Sequence, residues 1–231
     1  MRFKKNVRMT LLYLAFIVIG VAMVFPFIWM IATSFKTGTD IYSLSLLPKK
    51  FTLENYREVL SGSDFPRWFL NSFLVAGITT LSVLVFDSLL GYAFCKYRFR
   101  GKEAIFTMIL STMMIPTEMM TIPWYMMVNQ LGWNNTYWSM LFPGLSSAFG
   151  IFLMRQFFTG VPNELLDAGR IDGLSEFGVY TRIALPLVTP ALSALGIFTF
   201  LGNWNSFLWP VIALDSKEKY TITLGLAQFS A

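Results

Sequence analysis

Residues 161–190 read VPNELLDAGRIDGLSEFGVYTRIALPLVTP, and this polar stretch stands between two strongly apolar segments. Pro162 suits the first turn of a helix, where a missing backbone N–H costs nothing. Gly173 can end that helix because glycine tolerates a left-handed backbone, and Ser175 can cap a second short helix. The stretch therefore predicts a helix–turn–helix elbow that is too short and too polar to cross a bilayer.

The first helix of this elbow is expected to be thin and amphipathic. Leu165, Ala168 and Ile171 recur at helical spacing and form one apolar stripe. Ala168, Gly169 and Gly173 leave the elbow with little side-chain bulk. A thin amphipathic helix can enter a groove on another protein, so we interpret the elbow as a docking surface. A solvated connector without a partner is the alternative.

Three motifs of the elbow, in order, resemble the EAA loop of the inner-membrane permeases of binding-protein-dependent ABC importers. They are D-A-G at 167–169, D-G at 172–173 and I-x-L-P at 183–186. Asp167 replaces the usual Glu and Gly169 the second Ala, an acid for an acid and a small residue for a small one. In that family the loop is a coupling helix that seats in a cleft of the ATP-binding subunit. The coupling residues that this resemblance implies are Glu164, Asp167, Ala168, Gly169, Asp172, Gly173, Ile183, Leu185 and Pro186.

Two further stretches resemble the carbohydrate branch of this family, which includes maltose and glycerol-phosphate permeases. Residues 47–60 are similar to an outer loop of sugar permeases, and residues 203–210 read NWNSFLWP. The resemblance implies an oligosaccharide or a related polyol as substrate. Amide side chains can exchange hydrogen bonds with sugar hydroxyls and an indole can stack on a sugar face, although helix packing and interface anchoring are the alternative for each. The candidate substrate-path residues are Asn203, Trp204, Asn205, Glu118 and Asp87.

The composition places the chain among membrane proteins, because 55% of its residues are hydrophobic and only 13% are charged. Five apolar segments are long enough to be spans. They cover residues 9–35, 68–94, 104–128, 137–158 and 187–214. The third holds Glu118 between Pro116 and Pro123 and is expected to be broken there. We therefore predict an all-α membrane protein, and the resemblance implies the type I ABC importer transmembrane fold. The family normally has six spans, and we expect the last one to be missing from this chain.

The basic residues predict the orientation of these spans. The N-terminus, the turn after the second span and the elbow region carry eleven of the eighteen Lys and Arg residues. With five spans, these three segments share one side, which the positive-inside rule makes cytoplasmic. We expect an N-terminal span with an outer loop at 1–66, and at 67–231 a transmembrane core with its coupling loop at 161–186. The membrane would be the inner or plasma membrane of a bacterium or archaeon.

The residue inventory limits the chemistry of the chain. It has no His, one Cys and no G-x-x-x-x-G-K-[ST] motif, so we expect no cofactor or metal in this chain, no enzymatic activity and no nucleic-acid partner. The family implies a second homologous permease, two ATP-binding subunits that hold ATP and Mg²⁺, an extracytoplasmic sugar-binding protein and surrounding lipid. The alternative is an ion-coupled secondary transporter or channel with Asp87 and Glu118 as ion sites. A membrane-embedded enzyme has little support, because few residues could run catalysis.

Overall fold

The structure is a computed structural model that describes residues 2–43 and 45–229, without the side chains of residues 2–8 and 229. The described residues form helices and contain no strand. Two compact units divide the chain, at residues 1–63 and 64–231. The first unit contains α1 (Arg2–Ser34), a 3-10 turn (Gly38–Tyr42) and α2 (Glu54–Ser61).

The second unit contains eleven α-helices in its described residues. They are α3 (Phe65–Lys96), α4 (Lys102–Thr112), α5 (Thr121–Gln130), α6 (Tyr137–Leu141), α7 (Ala148–Thr159), α8 (Asn163–Ile171), α9 (Glu176–Val179), α10 (Leu185–Leu187), α11 (Thr189–Trp204), α12 (Leu208–Ala213) and α13 (Ile222–Phe229). Short 3-10 turns precede α5, follow α6 and precede α13. A π-helical segment, Tyr180–Ala184, joins α9 to α10.

The first unit is organised around a buried lysine. The side chain of Lys36 is completely buried, and its ammonium donates hydrogen bonds to the carbonyl oxygens of Ser43 at 3.2 Å and Ser45 at 2.5 Å. It also lies 5.0 Å from the centre of the Trp29 ring. These contacts compensate the cost of burying the charge, and they order the loop that follows α1.

Two single helices in the described residues, Met9–Ser34 and Phe65–Lys96, are long and apolar enough to cross a membrane. Three bent helix pairs bring the total to five if each pair is one span. They are Lys102–Thr112 with Thr117–Gln130 (92°), Tyr137–Gly144 with Ala148–Thr159 (41°) and Glu176–Leu187 with Thr189–Trp204 (81°).

The bends test the predicted limits of the spans. The break of the third span near Pro116 is confirmed, because α4 stops at Thr112 and a 3-10 turn starts at Thr117. The bend in the fourth span was not predicted. The limits of the fifth span differ from the predicted 187–214, because the candidate span is the bent pair Glu176–Leu187 with Thr189–Trp204 and α12 is a separate helix.

Helix α3 is the central element of the second unit and is about 48 Å long at 1.5 Å per residue. It packs against α7 and α11, and its core includes Val83, Tyr92, Met154, Phe158 and Leu195. The distance between α3 and α7 is small at Gly91, where an added methyl group would lie 2.8 Å from the backbone nitrogen of Arg155. Glycine is therefore required for this helix crossing.

Hydrogen bonds hold α3 near its start and at its middle. Near its start, Trp68 donates from Nε1 to the carbonyl of Lys217 at 2.8 Å, and Asn71 donates from Nδ2 to the carbonyl of Glu218 at 2.9 Å. At its middle, the Ser82 hydroxyl donates to the carbonyl of Leu145 at 2.7 Å. The segment around residues 217–220 thus marks one end of α3, and the other end meets the elbow.

Candidate functional site

The elbow folds much as its local sequence predicts. Helix α8 ends at Ile171, and Gly173 has the expected left-handed conformation with φ +83°. The hydroxyl of Ser175 accepts a hydrogen bond from the backbone N–H of Gly178 at 3.2 Å, which confirms the predicted cap of α9. Pro162 precedes the first turn instead of lying in it, because its ψ of 136° is extended and the helix begins at Asn163.

Helix α8 has an outward face and an inward face. Leu165 is 45% exposed and Ile171 86% exposed, and Ala168 between them is also exposed. Leu166 and Gly169 are buried against the rest of the chain. The apolar stripe read from the sequence is therefore the free surface of the elbow, although apolar residues normally turn inward. We name this surface, Leu165, Ala168 and Ile171, the elbow stripe.

Three of the predicted coupling residues lie inside the elbow. Gly169 faces the π-helical segment so closely that an added methyl group would overlap Cδ1 of Ile183. Ile183 and Leu185 are half-buried and pack against the core shared with α3 and α7. Through these three residues, α8 packs against the π-helical segment and the elbow packs against the core. The predicted coupling residues that are exposed are Glu164, Asp167, Ala168, Asp172, Gly173 and Pro186.

A charged network joins the two helices of the elbow to the turn after α3. Arg170 donates from Nε to Glu176 Oε1 at 2.8 Å and from its terminal nitrogen to Asp167 Oδ1 at 2.6 Å. The Tyr97 hydroxyl donates to Glu176 Oε2 at 2.9 Å. Burial, followed by the hydrogen bond to Glu176, raises the pKa of Tyr97 to about 12. The phenol therefore stays protonated and keeps donating near neutral pH.

Lys96, the last residue of α3, holds the start of the elbow. Its ammonium donates to the carbonyl of Val161 at 2.6 Å and to Oδ1 of Asn163 at 3.0 Å. In the sequence, Lys96 is one of four basic residues near the turn after the second span, and no local signal shows its partners because they lie more than sixty residues away.

Deeper in the core, the hydroxyls of Ser88 in α3 and Tyr180 in the π-helical segment share a hydrogen bond of 2.6 Å.

Replacing Lys96 with methionine should loosen the start of the elbow. The variant removes two charge-assisted hydrogen bonds, of which each contributes roughly 1.5–3 kcal/mol. We expect backbone amides at 161–171 to exchange hydrogen at least about tenfold faster, measured by mass spectrometry on the detergent-solubilised protein. Arg98→Met, in the exposed turn that follows α3, is the matched control and should leave exchange in the elbow unchanged. Equal exchange in both variants would contradict the role of Lys96.

Asp87 is a structural group in this geometry. Its side chain is completely buried, and it accepts hydrogen bonds from the Ser146 hydroxyl at 2.6 Å, the Ser147 hydroxyl at 2.9 Å and the Ser147 backbone N–H at 3.0 Å. Ser147 is the N-cap of α7, so the carboxylate lies at the positive end of that helix. Asp87 thereby fixes the bend in the fourth span, and both its oxygens are occupied by donors of its own chain.

The structure does not bring the five predicted substrate-path residues together. Asn205, the C-cap of α11, donates to the carbonyl of Leu201 in that helix. The Trp204 ring packs against Phe69, with ring centres 5.2 Å apart. Glu118 is exposed on the 3-10 turn at the break of the third span. Asn203 borders a cavity of about 210 Å³.

A cluster of metal ligands is not present among the residues that the structure describes. Those residues contain no group of three or more Cys, Asp or Glu side chains that could hold a metal ion.

Comparisons with known proteins place this geometry in context. The model of the family described as "Binding-protein-dependent transport system inner membrane component" matches residues 87–229. The arabinooligosaccharides transport system permease protein AraQ of Bacillus subtilis (strain 168) is 35% identical over 221 residues, which cover 94% of this chain and 79% of AraQ. The lactose transport system permease protein LacG of Rhizobium radiobacter is 34% identical, over 90% of this chain and 76% of LacG.

A third relative and one solved structure extend the comparison. The sn-glycerol-3-phosphate transport system permease protein UgpE of Brucella abortus (strain 2308) is 33% identical, over 91% of this chain and 78% of UgpE. The crystal structure of a bacterial ABC transporter involved in the import of the acidic polysaccharide alginate matches with a TM-score of 0.87 and 23% identity. That match covers 97% of this chain and 80% of the other chain. It confirms the predicted ABC importer transmembrane fold.

Proposed function

Because this chain belongs to the family of inner membrane components of binding-protein-dependent transport systems, we propose that it is the permease subunit through which an ATP-driven importer moves a carbohydrate. The named substrates of similar permeases are arabinooligosaccharides, lactose and glycerol 3-phosphate. They share a polyhydroxylated carbon skeleton. We therefore assign an oligosaccharide or a related polyol to this chain.

The elbow stripe is the surface on which we expect an ATP-binding subunit to dock, and this exposed apolar face carries the proposal. The elbow is joined to the end of α3 by Lys96, which donates to Asn163 at the start of α8, and by Tyr97, which donates to Glu176 of α9. A movement of the docked subunit would therefore reach α3 directly. Such a subunit changes the conformation of the permease only if it contacts the elbow differently in its two nucleotide states.

The assembly that we propose contains a second homologous permease, two ATP-binding subunits and an extracytoplasmic sugar-binding protein, all within lipid. ATP and Mg²⁺ would be held by the ATP-binding subunits, and nucleic acid plays no part. The N-terminus and the elbow would lie in the cytoplasm, in agreement with the eleven basic residues on that side. The segment at residues 217–220, at the other end of α3, would then face outward.

Site-directed crosslinking tests the docking. Ala168→Cys, in a chain whose only cysteine is removed by Cys95→Ser, should form a crosslink to an ATP-hydrolysing subunit of the assembled transporter. Lys217→Cys, an exposed position at the opposite end of α3, is the control and should form none. Products are identified by mass spectrometry. Capture of no ATP-hydrolysing subunit from position 168 of a working complex would overturn the proposal.

Replacing Gly173 with valine should uncouple transport while the chain still inserts. Valine is strained at a φ of +83°, by roughly 1–2 kcal/mol, so the turn between α8 and α9 should change its path. Gly132→Val adds similar strain at φ +68° in the turn between α5 and α6 and is the matched control. We expect sugar uptake per ATP hydrolysed to fall about tenfold in the first variant alone. Equal uptake ratios in the two variants would exclude a specific role for the elbow turn.

A further inference from the structure

Two adjoining cavities lie beside the break of the third span. Their volumes are about 470 Å³ and about 210 Å³, several times the roughly 30 Å³ that one water occupies in the liquid. Both are lined by Thr117, Trp124 and Pro143, so these residues form the border between them. A break in a membrane helix is tolerated where the backbone lines a cavity of this kind.

The smaller cavity lies beside α3. Val75 of α3 lines it, and Gly144, also in its lining, lies against Thr79 of α3. These two α3 residues are about 15 Å and 21 Å from the start of a helix about 48 Å long. The smaller cavity therefore lies beside the first half of α3, between about 3 Å and about 9 Å short of the midpoint of this helix.

An indole ring forms the wall that the two cavities share. The Trp124 ring packs edge-on against Trp209, with ring centres 5.7 Å apart and planes at 74°. Trp209 is buried and donates from Nε1 to the carbonyl of Ser139 at 2.9 Å. The second indole holds the first in one orientation, so Trp124 presents a fixed aromatic surface to the cavities.

Asn203 supplies an available acceptor beside this aromatic wall. Its Nδ2 donates to the carbonyl of Thr199 at 2.9 Å, while no donor in the described part of the chain reaches its Oδ1. A methyl group on Gly144 would lie 3.3 Å from that oxygen and 2.6 Å from Cγ2 of Thr79. The absence of a side chain at Gly144 thus keeps Oδ1 accessible, and Thr117 and Ser206 add hydroxyl groups to the lining.

From this geometry we propose that the two cavities form a subsite that binds one ring of a neutral sugar during its passage. The C–H face of the ring stacks on Trp124, and a sugar hydroxyl donates to Asn203 Oδ1. The described residues that line the cavities carry no charged side chain, so the subsite selects a neutral sugar over a phosphorylated polyol. The proposal rests on the proposed function and adds that this subunit itself contacts and selects the substrate.

The first test measures transport by the complete transporter in proteoliposomes. Trp124→Ala removes the stacking surface, Trp124→Phe keeps an aromatic ring, and Trp204→Ala makes the same deletion where the indole packs on Phe69 and lines neither cavity. Uptake is followed with radiolabelled arabinotriose, lactose and glycerol 3-phosphate. ATP hydrolysis stimulated by the loaded binding protein is measured in parallel.

We expect Trp124→Ala to lower uptake of a neutral sugar about tenfold, the loss of one aromatic contact, while stimulated ATP hydrolysis stays within about twofold. Trp124→Phe should retain most of the uptake, and Trp204→Ala should not separate uptake from hydrolysis. Normal uptake by Trp124→Ala, or a parallel loss of uptake and hydrolysis in both alanine variants, would overturn the subsite. Failure of the unmodified transporter to take up any of the three probes with ATP would instead overturn the proposed function.

The second test measures occupancy directly. Thr117→Cys in the Cys95→Ser chain places a thiol in the lining of both cavities, and Met119→Cys places one at a position that is 68% exposed and outside the lining. We expect saturating arabinotriose or lactose to slow methanethiosulfonate labelling at position 117 by about threefold or more, as binding would require, and to leave position 119 unchanged. Equal labelling of position 117 with and without sugar would contradict the subsite.

Discussion

Replacing Asp87 with alanine should strongly destabilise the folded permease. Three donors from Ser146 and Ser147 would lose their acceptor inside the bundle. Each buried donor left unpaired costs roughly 1–3 kcal/mol, so the variant should lose about 3 kcal/mol or more. The thermal unfolding midpoint of the detergent-solubilised protein measures this loss.

Two glycine variants accompany this prediction, one as a second test of the bend and one as its control. A methyl group on Gly150 would overlap Oδ2 of Asp87 and lie 2.8 Å from the Ser147 hydroxyl, so Gly150→Ala should destabilise the same bend. Gly196→Ala, whose methyl would meet Leu84 at an ordinary 3.5 Å, should unfold like the unmodified protein. An ion-coupled transporter would respond differently: Asp87→Ala would stay folded and lose only its dependence on an ion gradient. That result would support the alternative function.

Replacing Gly169 with leucine should abolish coupling between the elbow and an ATP-binding subunit. The new side chain would occupy the place of Ile183 and push α8 away from the π-helical segment. Overpacking of this kind costs about 1–3 kcal/mol, so stimulated ATP hydrolysis by the assembled transporter should fall by up to about a hundredfold. Gly169→Ala should have a small effect, because the end of the Ile183 side chain can turn aside.

A compensating variant makes this prediction specific. Gly169→Leu combined with Ile183→Ala removes the atoms that collide, so ATP hydrolysis should recover to within about tenfold of normal if the two residues act through their contact. Membrane insertion of each variant is measured by its yield in the detergent extract. If ATP hydrolysis stays as low in the double variant as in Gly169→Leu alone, the contact between residues 169 and 183 is not what the ATP-binding subunit requires.

The features that the sequence predicted well depend on neighbouring residues alone. Gly173 adopts the left-handed conformation that its position after α8 suggested, and Ser175 caps α9. The third span breaks near Pro116, because proline restricts the residue before it and removes a backbone donor. The hydrophobic segments predict five spans, which agrees with the described residues if each bent helix pair is one span.

The features that the sequence could not predict depend on residues far apart in the chain. The bend in the fourth span is fixed by Asp87, about sixty residues away. Gly169 was read as part of a thin exposed surface, yet it is buried against Ile183, because periodicity alone does not show which face of an amphipathic helix a folded chain will cover. The cavity beside Trp124 is formed by segments that only the fold brings together. The predicted coupling contacts stay predictions.

Helix α3 is held by hydrogen bonds near both of its ends and at its middle. Near its start, Trp68 and Asn71 bond the segment at residues 217–220. Near its end, Lys96 and Tyr97 bond the elbow. At its middle, Ser82 bonds the carbonyl of Leu145, which could act as a pivot. A straight helix held in this way would move at one end in the direction opposite to a displacement of its other end. If an ATP-binding subunit docks on the elbow as proposed, its movement would act on α3 through Lys96 and Tyr97 and would tilt the segment at residues 217–220.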